Sequence, residues 1–250
     1  MGRAFALAAA LVLLSGCGRA DVRHFLHRLR ATPRFATDAT NPMMKDPERH
    51  QQFLERFKQG NIDVAFYGDS ITDWWPAQGG SSWARLAKYN PANFGVAADR
   101  TEHLLWRLSN GELEGFEPKI AVVLIGTNNI GYFEDERPEW VAEGVKKVVS
   151  TIHERVPRAK VLLLGIFPRG EKESAARRTV HEVNRLLAPM DDGTTTRFLD
   201  LGDRFLAADG SIPAEVMPDQ VHLSAKGYEI WFENLEPVLQ EMLSAQPGSR

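Results

Sequence analysis

The chain of 250 residues contains a single cysteine, Cys17. A disulfide within the chain needs two thiols, so none can form, and a cysteine-based metal site is excluded for the same reason. The formal net charge is only -3 at pH 7, and basic residues do not cluster. We therefore expect no nucleic-acid partner. The apolar run Ala4–Leu14 has about eleven residues, too few for a membrane-spanning helix, which needs ~20.

Motifs of several other protein classes are also missing. No G-x-x-x-x-G-K-[ST] sequence occurs, which argues against a phosphate-binding NTPase. Thr72 stands where the G-x-S-x-G elbow of a conventional α/β-hydrolase has its second glycine, after Gly68 and Ser70. A receiver-like signalling domain would need an acidic cluster at the end of the first strand, and Asp69 is alone there.

Residues 1–17 have the organisation of an export signal: a short basic start, Met1–Arg3, precedes the apolar run. The sequence Leu14-Ser15-Gly16-Cys17 resembles a bacterial lipobox, in which the cysteine is lipidated and becomes the first mature residue. The alternative is an ordinary signal peptide with an incidental cysteine. Because the only cysteine falls on this position, we expect an exported protein, lipid-anchored through Cys17 in the bacterial cell envelope. Gly18, rather than Asp, follows it, so the outer membrane is permitted as well as a periplasm-facing location.

The rest of the chain alternates apolar runs with amphipathic segments. The predicted strands are Val64–Tyr67, Ala92–Phe94, Ile120–Ile125, Val161–Phe167 and Phe198–Leu201. Strands without polar alternation, separated by helices, predict an α/β protein with a three-layer, doubly wound parallel sheet. Residues 18–60 are interpreted as a linker and an N-terminal helix, and residues 61–243 as one domain.

Polar groups stand where the predicted strands end. Ser70 follows the first strand, Asn128 the third, and Asp219 and His222 precede the last helix. Loops at the carboxyl ends of parallel strands meet at one edge of the sheet. A serine esterase needs a hydroxyl, a base, a group that orients the base, and donors for the oxyanion, and these loops supply one of each. The alternatives are structural: a helix cap at Ser70, a turn residue at Asn128, and a capped turn at Asp219.

Longer motifs carry a resemblance to a known family. They are Gly68-Asp69-Ser70, Asn93–Thr101, Leu105–Leu108, Asn110–Leu113, Gly126–Asn129, Pro168–Lys172, and Asp219 with His222. With these the chain resembles the SGNH (GDSL-type) hydrolases, and more narrowly the catalytic subunits of intracellular platelet-activating-factor acetylhydrolase. The resemblance covers most of residues 68–243 and implies a flavodoxin-like fold.

The resemblance also implies roles for individual residues. Ser70 would be the nucleophile, His222 the general base and Asp219 its orienting partner. The oxyanion donors would be the backbone N–H groups of Ser70 and Ala98 and the side-chain amide of Asn128. No metal and no organic cofactor is implied. The family usually has glycine at the Ala98 position; the N–H survives this replacement, but a positive φ there would carry a steric cost that glycine avoids.

Substrate contacts are assigned to residues near this site, namely Ile71, Trp74, Thr127 and Val221. Bulk at Ile71 and Val221, with the methyl group of Ala98, favours a short acyl group such as acetyl. The tryptophans that follow Ser70, which are Trp74, Trp75 and Trp83, either stack on a sugar or belong to the core. Histidines in helical stretches, namely His50, His103, His153 and His181, are expected to be exposed.

The sequence thus predicts a serine esterase that acts on a small-molecule or carbohydrate ester, with an acetylated carbohydrate favoured. One alternative is a lysophospholipase or acetylhydrolase acting on lipid esters. The other is a non-catalytic carbohydrate-binding protein of the cell surface, which would explain the anchor and the tryptophans but not the three polar loops. The sequence carries no indication of an oligomeric state.

Overall fold

The computed structural model describes residues 34–133 and 136–244. The expected export signal, with Cys17, lies outside them. The helices and strands are α1 (Pro47–Lys58), β1 (Val64–Gly68), α2 (Ser70–Asp73), α3 (Trp75–Gln78), α4 (Gly80–Arg85), β2 (Pro91–Gly95), α5 (Thr101–Ser109), β3 (Ile120–Leu124), α6 (Thr127–Tyr132), α7 (Pro138–Arg155), β4 (Lys160–Leu164), α8 (Ala175–Leu187), β5 (Thr196–Leu199) and α9 (Ala225–Ser244). Within these ranges, none of the helices has the length and hydrophobicity of a membrane span.

Five parallel strands form one sheet in the order β2-β1-β3-β4-β5. At the carboxyl end of β1, Gly68 lies opposite Gly95 of β2 and Leu124 of β3. The chain reverses its direction of winding between β1 and β3, which is where ligands bind in sheets of this kind. The predicted doubly wound parallel sheet is confirmed.

Alternate strand residues face two separate apolar layers. Ala65 and Tyr67 of β1 belong to the layer that contains buried residues of α1, α5, α7 and α8. Val64 and Phe66 belong to the layer that contains Trp75 and the buried face of α9. Both layers are closed to solvent, which explains why the strands are apolar on both sides.

The aromatic residues after Ser70 separate into different environments. Trp75 is fully buried and stacks on Trp231 of α9, with ring centroids 4.0 Å apart. Trp83 is partly buried and packs edge-on against Phe66, with centroids 5.4 Å apart. Both belong to the core layer beneath α9, so of the three tryptophans Trp74 alone lies at the edge where the polar loops meet.

The segment before α1 is attached to the domain by hydrogen bonds. Thr101 Oγ1 donates to the carbonyl of buried Ala39 at 2.8 Å, and Met43 N–H donates to the Glu102 carbonyl at 3.0 Å. Asp46 caps α1 by accepting the Arg49 N–H at 2.9 Å. These contacts fix the position of the intervening residue, Lys45, against the start of α5.

Candidate active site

Ser70 lies at the turn from β1 into α2. A side chain at Gly68 would place its Cβ 2.2 Å from Thr72 Oγ1 and 2.5 Å from the Leu124 carbonyl, so only glycine fits there. Asp69 is the N-cap of α2 and accepts the Ile71 N–H at 3.0 Å. Ser70 is therefore held as the first residue of α2, with 5% of its surface exposed.

The loop that precedes α9 brings an acid and a base to Ser70. Asp219 Oδ1 accepts the N–H groups of Val221 at 3.0 Å and His222 at 2.7 Å, and Oδ2 lies 2.6 Å from His222 Nδ1. A carboxylate only accepts hydrogen bonds, so Nδ1 carries the hydrogen. Nε2 can then accept a hydrogen bond from the hydroxyl group of Ser70, whose Oγ lies 2.9 Å away.

The electrostatics of this pair favour a charged carboxylate. Partial burial acts to raise the pKa of Asp219, but hydrogen bonds from the His222 ring and from two backbone N–H groups hold that pKa below its ordinary range. The Trp74 ring lies against the imidazole of His222, with ring centroids 4.4 Å apart. The base is thus fixed by a carboxylate at one edge and an aromatic face beside it.

Ala98 occupies a left-handed turn beside the nucleophile. Asp99 N–H donates to the Val96 carbonyl at 3.0 Å and closes a four-residue turn, in which Ala98 is the third residue and has φ +61°. A positive φ at this position is typical of a type II turn, which favours glycine. Ala98 therefore carries the steric cost that an L-residue has at positive φ and that glycine would avoid.

The two adjacent asparagines of α6 differ in burial and in their hydrogen-bond partners. Asn129 is fully buried and accepts the Thr101 N–H at 3.1 Å, while its amide donates to Thr101 Oγ1 at 3.2 Å and Glu102 Oε2 at 3.0 Å. Asn128 is partly exposed, and its Nδ2 donates to the Asp99 carbonyl at 2.9 Å. That bond uses one of the two amide hydrogens of Asn128 and orients the other.

Buried charges support the turn from behind. Arg107 Nε donates to Asp99 Oδ2 at 3.0 Å, and its Nη1 donates to Glu112. Glu112 also lies 2.8 Å from His50 Nδ1. Burial raises the pKa of Asp99, while the positive charges of Arg107 and Lys45 act against that rise. The network holds the Asp99 side chain in one place.

Asp69 is a second buried carboxyl group next to the nucleophile. It has no exposed surface, and its Oδ2 has no hydrogen-bond partner among the described residues. Burial raises its pKa to about 7, partly opposed by the hydrogen bond from Ile71 N–H and reinforced by the charge of Asp99. This carboxyl group therefore changes protonation state near neutral pH.

Arg169 lies near the site and within the Pro168–Lys172 motif, but no role was predicted for it. Its Nη1 donates to Thr127 Oγ1 at 3.0 Å and to the Thr127 carbonyl. The next residue, Gly170, donates its N–H to the Gln220 carbonyl at 2.9 Å. Arg169 and Gly170 together connect the start of α6 with the loop of His222, a link that only long-range contacts reveal.

The residues predicted to bind substrate differ in accessibility. Thr127 is 3% exposed and engaged with Arg169, and Ile71 is 2% exposed and packs in the layer beneath α9. Trp74, four residues after the nucleophile, and Val221, directly before the base, are both partly exposed. Their roles in substrate binding stay predictions.

Two of the helical histidines are buried, so the expectation that they are exposed is wrong. His50 is 7% exposed and bonds to Glu112 and to the Asn110 carbonyl. His103 is 4% exposed, and burial and the nearby Arg100 lower its pKa to about 4. Both are anchored by polar partners that lie far away in sequence or across a helix turn.

In the ranges that the structure covers, histidine, cysteine and carboxylate side chains form no cluster suited to a metal ion.

Comparison with known proteins places the chain in a family. The model of the GDSL-like lipase/acylhydrolase family matches residues 66–230. Human platelet-activating factor acetylhydrolase IB subunit alpha2 is 36% identical over 204 residues, which are 81% of this chain and 86% of that protein. Human subunit alpha1 is 36% identical over 201 residues, or 80% and 84% of the two chains.

Solved structures show the same fold at lower identity. A GDSL-like lipase from Bacteroides thetaiotaomicron has a TM-score of 0.64 at 14% identity, over 77% of this chain and 97% of that one. A catalytic mutant of an acetylxylan esterase from Geobacillus stearothermophilus has a TM-score of 0.58 at 19% identity, over 76% and 98%. The resemblance stated from the motifs is confirmed.

Proposed function

This chain belongs to the GDSL-like lipase/acylhydrolase family and is a carboxylic ester hydrolase, and we propose that it hydrolyses acetyl and other short-chain esters through Ser70, His222 and Asp219. The observation that carries the proposal is the continuous hydrogen-bond chain from Ser70 Oγ through both ring nitrogens of His222 to Asp219 Oδ2, with steps of 2.9 and 2.6 Å. A hydroxyl in such a chain can be deprotonated as it attacks a carbonyl carbon.

In the acylation step, Ser70 Oγ bonds to the carbonyl carbon of the ester while His222 Nε2 takes the hydroxyl proton. The negative charge of Asp219 stabilises the imidazolium that forms. The carbonyl oxygen becomes an oxyanion, which the backbone N–H groups of Ser70 and Ala98 and the Asn128 amide would stabilise. Collapse of the intermediate breaks the bond to the alcohol, which leaves with the proton from His222.

In the deacylation step, water replaces the alcohol. His222 Nε2 takes a proton from the water as its oxygen attacks the acyl carbon of the Ser70 ester. The second oxyanion forms at the same place and meets the same donors. Its collapse releases the acid and returns the proton to Ser70 Oγ, so the cycle consumes one water and yields one acid and one alcohol.

A short acyl group is supported by what surrounds the nucleophile. Ala98 places a methyl group where the resembling family usually has glycine, and Val221 lies directly before the base. The 36% identical relatives are named acetylhydrolases. For the alcohol portion of the ester we favour a carbohydrate. The partly exposed Trp74 ring lies against the imidazole of His222, and a sugar face stacks readily on an aromatic ring.

The location of the enzyme is part of the proposal. A lipid anchor on Cys17 would hold the domain at the bacterial cell envelope, where an acetylated polysaccharide is within reach. Several acyl chains on one cysteine would anchor it stably without a membrane-spanning helix.

An acyl-length series tests the acyl specificity. Initial rates on p-nitrophenyl acetate, butyrate, octanoate and palmitate should fall as the chain lengthens, with Ser70→Ala as the inactive, folded control. The best short-chain rate is then compared with rates on an acetylated xylooligosaccharide and on an acetylated phospholipid. Highest activity on octanoate or palmitate would overturn the acetyl proposal, and exclusive activity on the phospholipid would overturn the carbohydrate preference.

A further inference from the structure

Lys45 lies outside the predicted domain in sequence but reaches the turn of Ala98. Its Nζ donates to the Ala97 carbonyl and lies 3.2 Å from Asp99 Oδ1. The side chain is 30% exposed, and the ion pair with Asp99 joins it to a carboxylate that is 1% exposed. One ammonium group therefore contacts the residues on both sides of Ala98.

The Ala97 carbonyl and the Ala98 N–H belong to the same peptide unit. In a trans peptide these two groups point in opposite directions. A cation held on the Ala97 oxygen therefore determines the direction of the Ala98 N–H, which the proposed mechanism uses as an oxyanion donor. Positive charge at the carbonyl oxygen also polarises the peptide and strengthens its N–H as a donor.

Alanine is a poor residue for this conformation. The turn can change by rotation of its central peptide, which converts a type II turn into a type I turn and moves φ of the third residue from positive to negative values. The left-handed region disfavours an L-residue by a factor of roughly 5 to 30, whereas glycine accepts it freely. Ala98 at φ +61° therefore needs a contact that keeps the peptide from rotating.

The other contacts of the turn do not act on that peptide. Arg107 holds the Asp99 side chain, and Asn128 holds the Asp99 carbonyl, which is part of the following peptide unit. Among the described residues, Lys45 is the donor found on the Ala97 oxygen. We propose that Lys45 is a positioning residue that holds the Ala97–Ala98 peptide in the orientation that presents the Ala98 N–H to the oxyanion, and so compensates for alanine at this position.

The inference rests on the proposed oxyanion role of Ala98 and predicts a specific interaction between two substitutions. In Lys45→Met the rotated turn should dominate, leaving roughly 3–20% of the molecules with the donor in place. We expect kcat on p-nitrophenyl acetate to fall by roughly 5- to 30-fold, with KM changed less than about twofold. Adding Ala98→Gly should restore kcat to within about threefold of the wild-type value, because glycine adopts the type II turn unaided.

The controls separate positioning from charge and from folding. Lys58→Met removes an exposed cation of α1 paired with Glu55 and should leave kcat unchanged. Lys45→Arg keeps a cationic donor and should retain most of the activity. Thermal unfolding of each variant reports on the fold; if Lys45→Met does not unfold cooperatively, Lys45→Gln, which is neutral and one atom shorter, takes its place in the cycle.

The outcomes are distinct. A kcat of Lys45→Met equal to that of the wild type, or a loss that Ala98→Gly does not relieve, would refute the inference while leaving the esterase proposal intact. A rise in KM without a fall in kcat would assign Lys45 to substrate binding instead and would also refute it. Absence of esterase activity in the wild type would mean that the proposed function itself has failed.

Discussion

The adjacent residues Asn128 and Asn129 should give opposite phenotypes when each is replaced by alanine. Asn128→Ala removes the proposed oxyanion donor and one partly exposed hydrogen bond, to the Asp99 carbonyl at 2.9 Å. Loss of one oxyanion donor lowers kcat by ~10²–10³, or about 2.7–4 kcal/mol of transition-state stabilisation. The stability cost is that of a single hydrogen bond, about 1 kcal/mol.

Asn129→Ala acts on the fold. It leaves the Thr101 N–H without its acceptor at 3.1 Å, and it leaves Glu102 without an amide donor at 3.0 Å, in a region closed to water. The Thr101 N–H left unpaired costs about 1–3 kcal/mol, and the lost hydrogen bond to Glu102, whose Oε2 keeps its contact with Thr101 Oγ1, adds to that cost. A destabilisation of about 3 kcal/mol lowers Tm by roughly 6–12 °C in a domain of this size.

The assay compares kcat on p-nitrophenyl acetate, at a temperature well below both transitions, with Tm from calorimetry. Asn128→Ala should lose at least ~10² in kcat with a Tm change of roughly 2–4 °C, and Asn129→Ala should show the larger Tm change with the smaller loss of kcat. The reasoning would be refuted if Asn128→Ala kept its rate, or if the two variants lost activity in proportion to their loss of stability.

Two further predictions concern Asp69 and the anchor. The pKa of Asp69 is about 7 in the fold against 3.8 for the free side chain, so the folded protein binds more protons between about pH 4 and 7 and its stability falls as pH rises through that range. This difference in pKa corresponds to up to about 4 kcal/mol in the free energy of unfolding. Urea unfolding at pH 4.5, 6 and 7.5 should show this fall in the wild type and a flatter profile in Asp69→Asn, and equal slopes would contradict the assignment. Cys17→Ser should release the exported protein from the membrane fraction of the expressing cells, and a wild-type protein that is already entirely in the soluble fraction would rule out the anchor.

The core strands could be predicted because a strand buried on both faces is a continuous run of apolar residues. Val64–Tyr67 differs from β1 by one residue, and Ile120–Ile125 differs from β3 by one. The prediction Val161–Phe167 runs beyond β4, which ends at Leu164. Ile166 and Phe167 are buried loop residues; the Ile166 N–H bonds to Asn184 Oδ1 at 2.8 Å instead of to a strand. Apolar residues indicate that a segment is buried. Whether it is a strand or a loop depends on its backbone hydrogen-bond partners, which the sequence does not show.

The polar side chains that meet at the sheet edge could be proposed from the sequence because each follows a predicted strand or precedes a helix. The contacts that hold these side chains in place could not be predicted. Lys45 reaches Asp99 across 54 positions of sequence, and His50 reaches Glu112 across 62. In the sequence Lys45 is one charge in a polar segment, and nothing local distinguishes it from an exposed lysine. Alanine at position 98, where the resembling family usually has glycine, is the feature of the sequence that indicates a need for support at this turn.

The central claim is that Ser70 is a nucleophile activated by His222 and Asp219, and active-site labelling tests it most directly. The wild type is incubated with a fluorophosphonate that carries a short alkyl group, and the site of attachment is identified by peptide mass spectrometry. We expect stoichiometric labelling on Ser70, labelling slowed by at least ~10² in His222→Ala, and none in Ser70→Ala. A folded wild-type protein that takes up no label, or takes it up on another serine, would contradict the claim.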